Sequence, residues 1–209
     1  MLVTVEIRWF HLGKVPAQTL EWFQHGSQHV GVQPSREDQY LALPACDALG
    51  IKLRQGRIEL KQGYQHFDAL RVCGRIAGRP RLWRKWGFVL DQADAALSGI
   101  PPQSPWWLSV QKERMVRIYR TTGAGTMLAV PAGEYPDRGC HLELAQVHVR
   151  GEAWWTVGFE AFGDEPTLYE DLLLAANETL AAGEAPRLSS RDCYGYPQWL
   201  QSINSDSED

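Results

Sequence analysis

Leu49-Gly50-Ile51-Lys52-Leu53-Arg54, then Gln55-Gly56, then Arg57-Ile58-Glu59-Leu60-Lys61-Gln62 reads as two strands about a tight turn, with Gly56 supplying a positive φ. Ile51 and Leu53 alternate with Lys52 and Arg54, and Ile58 and Leu60 alternate with Arg57, Glu59 and Lys61. Residues i and i+2 of a strand point to one face, so the cations form rows on a sheet. The apolar face is expected to pack outward against helices or another sheet. The charged face then meets either bulk water, as in any half-exposed antiparallel sheet, or a lumen.

The excess of charge is local. Ten of the 21 Lys and Arg residues lie between Lys52 and Lys85, against two acids, Glu59 and Asp68. Residues 1–163 hold 19 basic and 15 acidic side chains, whereas residues 164–209 hold 2 and 10. A net charge of −4 with an acidic C-terminal part argues against general nucleic-acid binding, which needs a dominant positive field. It points to a confined cationic site.

Working outward, Val3 to Phe10 reads as a strand with Val3, Val5, Ile7 and Trp9 on one face and Thr4, Glu6, Arg8 and Phe10 on the other. Residues 16–25 are expected to form a short helix from Pro16. Asp38 to Leu43 reads as a short strand. Asp68 to Ile76 and Leu82 to Leu90 read as two more, joined across Gly78-Arg79-Pro80, with a helical turn at Asp91 to Ser98. Trp106 to Thr121 reads as a long strand, and Cys140 to Arg150 with Glu152 to Phe162 as a hairpin about Arg150-Gly151. Pro166 to Ala182 has helical spacing, with Glu165 and Glu170 near its start to suit the helix dipole. Ser202 to Asp209 reads as an acidic, disordered tail following a single domain of residues 1–201. The sum is an α+β protein of roughly eight antiparallel strands with flanking helices, accommodated by a strongly curved sheet or a barrel.

The long strand supports a polar interior. Val110, Lys112, Arg114, Val116 and Ile118 share one face, and Glu113, Met115, Arg117 and Tyr119 the other, so both faces are mixed. Arg84 and Lys85 stand among Trp83, Trp86 and Phe88, where stacking is the plainer explanation. Glu6, Glu143 and Glu160 are single carboxylates within largely apolar strands. Such acids need a cation, a metal or hydrogen bonds when buried. Facing a basic wall they suit a divalent-metal and phosphate site, while ordinary ion pairing, as between Glu59 and Lys61 or Arg54, is the simpler account.

Other signals are weaker. His25 and His29 have i, i+4 spacing, which serves a metal only on one helix with a third ligand. Gly123-Ala124-Gly125 lacks the Lys and helix of a phosphate-binding loop and reads as a turn. The nine Trp residues suit core and rim packing. The four cysteines form no Cys-x-x-Cys pair and read as reduced thiols, which gives a cytoplasmic expectation. No apolar run reaches the roughly 18 residues that span a bilayer, so no membrane partner is expected.

The order of these motifs resembles the CYTH-like family, the triphosphate tunnel metalloenzymes. The resemblance covers residues 3–162 and rests on Glu6 in a first strand, Tyr40, Leu49 to Arg54, Ile58 to Lys61, Lys112 with Arg114, and the Glu143 and Glu160 strands. It implies a closed antiparallel barrel of about eight strands whose tunnel binds triphosphate or another polyphosphate. Lys52, Arg54, Lys61, Lys112 and Arg114 match phosphate-binding positions, with Arg84 or Lys85, and Arg8, as further candidates. Glu6, Glu143 and Glu160 match positions that hold Mg²⁺ or Mn²⁺, with Glu143 and Glu160 also positioning the attacking water. The chain departs from the family's opening Glu-x-Glu-x-Lys, because it reads Glu6-Ile7-Arg8-Trp9-Phe10. That exchange predicts weaker metal binding and leaves Arg8 able to hold phosphate without a metal.

Three functions therefore stand open. One is a metal-dependent phosphohydrolase of inorganic or nucleoside triphosphate. The second is a non-catalytic polyanion-binding or protein-interaction module, with the acidic C-terminal region as a surface for a protein partner or a cover for the tunnel mouth. The third is an ion-paired barrel without a ligand.

Overall fold

The computed structural model describes all residues except 26–28, 73–75, 91–105, 124, 132, 182–183 and 206–209. The main strands are β1 (Leu2–Leu12), β2 (Gly31–Leu41), β3 (Leu49–Arg54), β4 (Arg57–His66), β7 (Arg81–Val89), β8 (Trp107–Thr121), β10 (Gly139–Val149) and β11 (Glu152–Phe162). Minor strands are β5 (Leu70–Val72), β6 (Ile76–Gly78) and β9 (Met127–Val130), and the helices are α1 (Ala17–His25), α2 (Leu168–Leu180) and α3 (Tyr196–Ser205).

The eight main strands run antiparallel in the order β10-β11-β1-β7-β4-β3-β2-β8, and β8 pairs back onto β10, from Gly139 opposite Arg120 to Val149 opposite Val110. That last pairing closes the barrel and removes the exposed sheet edge. β9 pairs with the end of β8, at Ile118 to Thr121, beyond the start of β2. Two hairpins have the turns read from the sequence: Gln55 and Gly56 both take positive φ, as do Arg150 and Gly151.

Alternation sorts the barrel into two environments. Val5, Ile7 and Trp9 of β1, Leu142 and Leu144 of β10, and Val157, Phe159 and Ala161 of β11 point outward and are buried. They pack beneath α1 and α2, against Trp22, Phe23, Leu168, Leu172 and Ala176. This outer layer is the main hydrophobic core, and each fully buried large side chain contributes roughly 1.5–3 kcal/mol. The hairpin β3–β4 differs from expectation: Ile51, Ile58 and Leu60 remain half-buried, because α1 and α2 pack against other strands.

The inward face has two zones. At one end Phe10, Tyr40, Leu108, Val110, Ala145, Val147 and Val149 meet Trp199, Leu200 and Ile203 of α3. Trp199 stacks on Phe10 at 4.5 Å between ring centroids. Helix α3 therefore fills that end with aromatic and aliphatic groups. The rest of the lumen is polar.

Several sequence expectations need correction. Residues 202–205, assigned to a disordered tail, complete α3. The expected strand over Asp68 to Ile76 is a two-stranded ribbon, β5 with β6, in which Leu70 faces Gly78. The strand expected to begin at Asp38 begins at Gly31, because the register shift between Gln33 and Arg36 accommodates Pro34 within it. α2 ends at Leu180, short of Ala182, and is preceded by a 3-10 turn at Glu165–Thr167. The helical turn expected at Asp91 to Ser98 lies outside the described residues.

Candidate functional site

All ten residues singled out from the sequence, Glu6, Arg8, Lys52, Arg54, Lys61, Lys85, Lys112, Arg114, Glu143 and Glu160, border one cavity of about 750 Å³ within the barrel. Nine basic side chains and four carboxylates line it, the additions being Arg36, Arg57 and Glu59. Strand parity explains the convergence. Glu6 and Arg8 share the inward face of β1, Lys52 and Arg54 that of β3, Glu59 and Lys61 that of β4, and Lys112 and Arg114 that of β8.

The carboxylates are held by cations. Arg8 is buried and donates from Nε to Glu6 Oε1 at 3.0 Å and from Nη1 to Glu143 Oε1 at 2.8 Å and Thr156 Oγ1 at 2.7 Å. Lys61 donates to Glu6 Oε2, and Arg114 donates to Glu143 Oε2 at 3.0 Å. The result is a ladder of alternating charge, Lys61–Glu6–Arg8–Glu143–Arg114, across strands β4, β1, β10 and β8. Lys85 donates separately to Glu160. Burial acts to raise the Glu143 carboxyl, but Arg8, Arg114 and Lys112 outweigh it and hold it at about 2. Glu160 likewise lies far below the usual carboxylate range, with Lys85 and Lys61 overcoming its burial. Burial opposes the charge on Arg8, and Glu143, Tyr196 and Glu160 more than compensate.

A second cluster surrounds Asp38, whose side chain is fully buried. Its Oδ2 lies 3.4 Å from Arg36 Nε, 3.6 Å from Lys112 Nζ and 3.8 Å from Lys52 Nζ. Burial alone would raise Asp38, but Lys52, Lys112 and Arg36 lower it. Lys112 donates to Tyr40 Oη at 2.5 Å and lies 3.9 Å from the centre of the Tyr196 ring. Burial and Lys52 push its amine well below its ordinary value. Lys52 also pairs with Glu59 at 2.9 Å, and Glu59 lies 3.6 Å from Arg54.

Sequence reasoning missed Arg36, Asp38 as a cluster centre, and Tyr196. Arg36 and Asp38 alternate with Tyr40 along β2, which was a usable signal. Tyr196 was missed because α3, which carries it, was not foreseen. Arg84 faces away from the cavity residue Lys85 and covers the Tyr64 ring at 4.1 Å. The mixed strand β8 is resolved in the same way: Lys112 and Arg114 face the cavity, while Arg117 is buried outside beside the rings of Phe23 and Tyr119. His25 ends α1 with its Nδ1 on Glu21 O, and His29 lies beyond the helix, so the two do not share a helical face. Among the described residues no group of three His, Cys, Asp or Glu side chains is arranged to hold a metal. The Mg²⁺ or Mn²⁺ expected for Glu6, Glu143 and Glu160 does not fit this arrangement, because every oxygen of Glu6 and Glu143 already accepts from a cation of the chain.

Fold and cavity together define a closed eight-stranded antiparallel β-barrel with a cation-rich lumen filled at one end by a helix. No protein-family model matches the sequence, and no curated protein matches it. Among solved structures the chain is similar to a conserved hypothetical protein from Pyrococcus furiosus, at 14% identity and a TM-score of 0.44, over 93% of this chain and 98% of that one. No helix among the described residues is long and apolar enough to cross a membrane.

Proposed function

We propose that the protein binds a small phosphorylated polyanion, of the inorganic triphosphate or nucleoside triphosphate class, inside the barrel. The observation that carries this reading is the imbalance of the cavity wall, nine basic side chains to four carboxylates around one half-open cavity. Adding Asp38 behind the wall leaves cations in excess. Like charges held together in a low-dielectric lumen are costly alone and favourable around an anion. The volume also lies within the roughly 300–1,000 Å³ of small-molecule sites. The order of motifs that resembles the triphosphate tunnel metalloenzymes supports the same ligand class.

Arg54, Arg57 and Lys85, the more exposed of these cations, would meet the ligand first, and Lys52, Lys112 and Arg114 would take the phosphates deeper in. The ladder fixes Arg8 and Arg114 before the ligand arrives, which lowers the ordering entropy of binding. A hydrolytic function, with Glu143 or Glu160 orienting a water beside Mg²⁺ or Mn²⁺, requires one of those carboxylates to leave its cation. Non-catalytic binding requires no such change and is the reading adopted.

The test is calorimetric titration of inorganic triphosphate into the full chain, beside phosphate release with Mg²⁺ and Mn²⁺. Binding without release is the expected result. Release that depends on Glu143 or Glu160 would establish the hydrolase. Absence of binding by triphosphate, nucleoside triphosphates and pyrophosphate would leave the internally ion-paired barrel as the account.

A further inference from the structure

The clamp of Glu6 and Glu143 on Arg8 bears on how that ligand is held, and the inference from it rests on the polyanion-binding reading. We propose that Arg8 is a built-in cation occupying the carboxylate pair that a divalent metal would need, so that the cavity takes its phosphorylated ligand without Mg²⁺ or Mn²⁺.

Four oxygens decide this. Glu6 Oε1 accepts from Arg8 and Oε2 from Lys61, while Glu143 Oε1 accepts from Arg8 and Oε2 from Arg114. Mg²⁺ needs carboxylate oxygens at about 2.0–2.1 Å in near-octahedral geometry. Those oxygens are turned to nitrogen donors instead. A metal entering between Glu6 and Glu143 would displace the guanidinium and leave a buried cation without its counter-ions, which is strongly unfavourable.

The surroundings are shaped to the guanidinium. Arg8 stands opposite Gly158 of β11, and Gly158 stands opposite Glu143 of β10. A Cβ at position 158 would lie 2.7 Å from Arg8 Cζ, so the missing side chain is the space the guanidinium fills. Thr156, next on the same face of β11, accepts the second hydrogen bond from Nη1. The Tyr196 ring lies 5.3 Å from Cζ. Three strands and α3 thus contribute to one seat, which a chance ion pair does not require. Arg8 borders the cavity, so a phosphate bound there lies within the field of its guanidinium.

The experiment has two arms on the wild-type chain. Inorganic triphosphate is titrated calorimetrically in EDTA and again in Mg²⁺, corrected for the Mg²⁺–triphosphate complex. Separately, the electron paramagnetic resonance signal of free Mn²⁺ is followed as protein is added. The proposal expects equal affinity in EDTA and Mg²⁺ and an undiminished Mn²⁺ signal. Arg8→Gln should lose about tenfold or more in triphosphate affinity in EDTA and should begin to take up Mn²⁺. Should that variant not fold, the two wild-type arms decide alone. Triphosphate binding that appears only with Mg²⁺, or Mn²⁺ uptake by the wild type that Glu6→Gln abolishes, overturns the proposal while leaving the polyanion reading intact. No binding of triphosphate in either buffer removes the polyanion reading and the proposal with it.

Discussion

Arg8 and Glu143 lie two strands apart, and their 2.8 Å contact passes through the space that a side chain at Gly158 would fill. Gly158→Ala would place a Cβ 2.7 Å from Arg8 Cζ and 2.9 Å from Nη2. Carbon atoms do not approach so closely, and the side that can yield is the end of the Arg8 side chain. Its bonds to Glu6 and Glu143 should lengthen together. The expected cost is about 1–3 kcal/mol, the range for a buried polar group left short of partners. Urea unfolding of Gly158→Ala, Arg8→Met and the double variant checks it, since the two effects should be strongly non-additive. Additive effects would mean that the guanidinium does not need the gap.

That relationship marks where the sequence was informative. Alternation along Lys52 to Lys61 and along Glu6 to Phe10 places the charges on one face, and closure of the barrel makes that face a lumen. Period-two patterning therefore carried the strands and the charged faces of β1, β3 and β4, while the order of motifs, through the resemblance it supports, pointed to Lys85, Lys112, Arg114, Glu143 and Glu160. Neither carried anything about which cation meets which acid, because that depends on cross-barrel geometry and on Gly158. Helix α3 was missed although Tyr196, Trp199, Leu200 and Ile203 have helical spacing, since polar Ser202, Asn204 and Ser205 dilute it. β9, at four residues, is too short to show a period.

Lys61 gives the polyanion site a pH dependence. Burial and the neighbouring Lys85 push its amine down to about 7, with Glu160 and Glu143 pulling the other way. An anion favours the charged amine, so affinity should fall as pH rises from about 6 to about 8. The ligand titrates in the same window, and Lys61→Met supplies the reference that cancels it. The variant should bind more weakly and should lack the chain's share of the pH slope. Equal slopes in calorimetry would exclude Lys61 as the titrating group. The stability effect has its own sign. Between about 7 and the ordinary value of 10.5 the unfolded chain holds the Lys61 proton and the folded chain does not, so through this group stability rises with pH in that window.

The acid side is governed by the ladder. Glu143 is held at about 2 against an ordinary 4.5. A depressed carboxylate contributes stability that is complete above its unfolded value and disappears as pH falls through the folded one. The wild type should therefore weaken steadily between about pH 4.5 and pH 2. Glu143→Gln, which retains an oxygen to accept from Arg8, should start less stable at neutral pH and lose less on acidification. Urea unfolding at several pH values measures both slopes. A variant as acid-sensitive as the wild type would assign acid unfolding to Glu160 and Asp38 instead, which are also depressed.

Helix α3 should be part of the cooperative fold. Trp199 is fully buried, stacks on Phe10 at 4.5 Å and meets Trp154 and Tyr196 edge-on at 5.7 and 5.6 Å. Trp199→Ala should cost about 3–5 kcal/mol, the range for large aromatic truncations in a core. In a domain of this size that corresponds to a fall in Tm on the order of 10 °C. The consequence reaches the cavity, because Tyr196 lies one turn earlier on α3 and covers both Lys112 and Arg8. Loosening α3 should admit water to Lys112, whose amine is depressed chiefly by burial, and weaken triphosphate binding along with stability. Trp199→Phe, which retains an aromatic face for Phe10, should lose less on both counts. An unchanged Tm for Trp199→Ala would mean that α3 unfolds apart from the barrel, and the lumen would then be open at both ends.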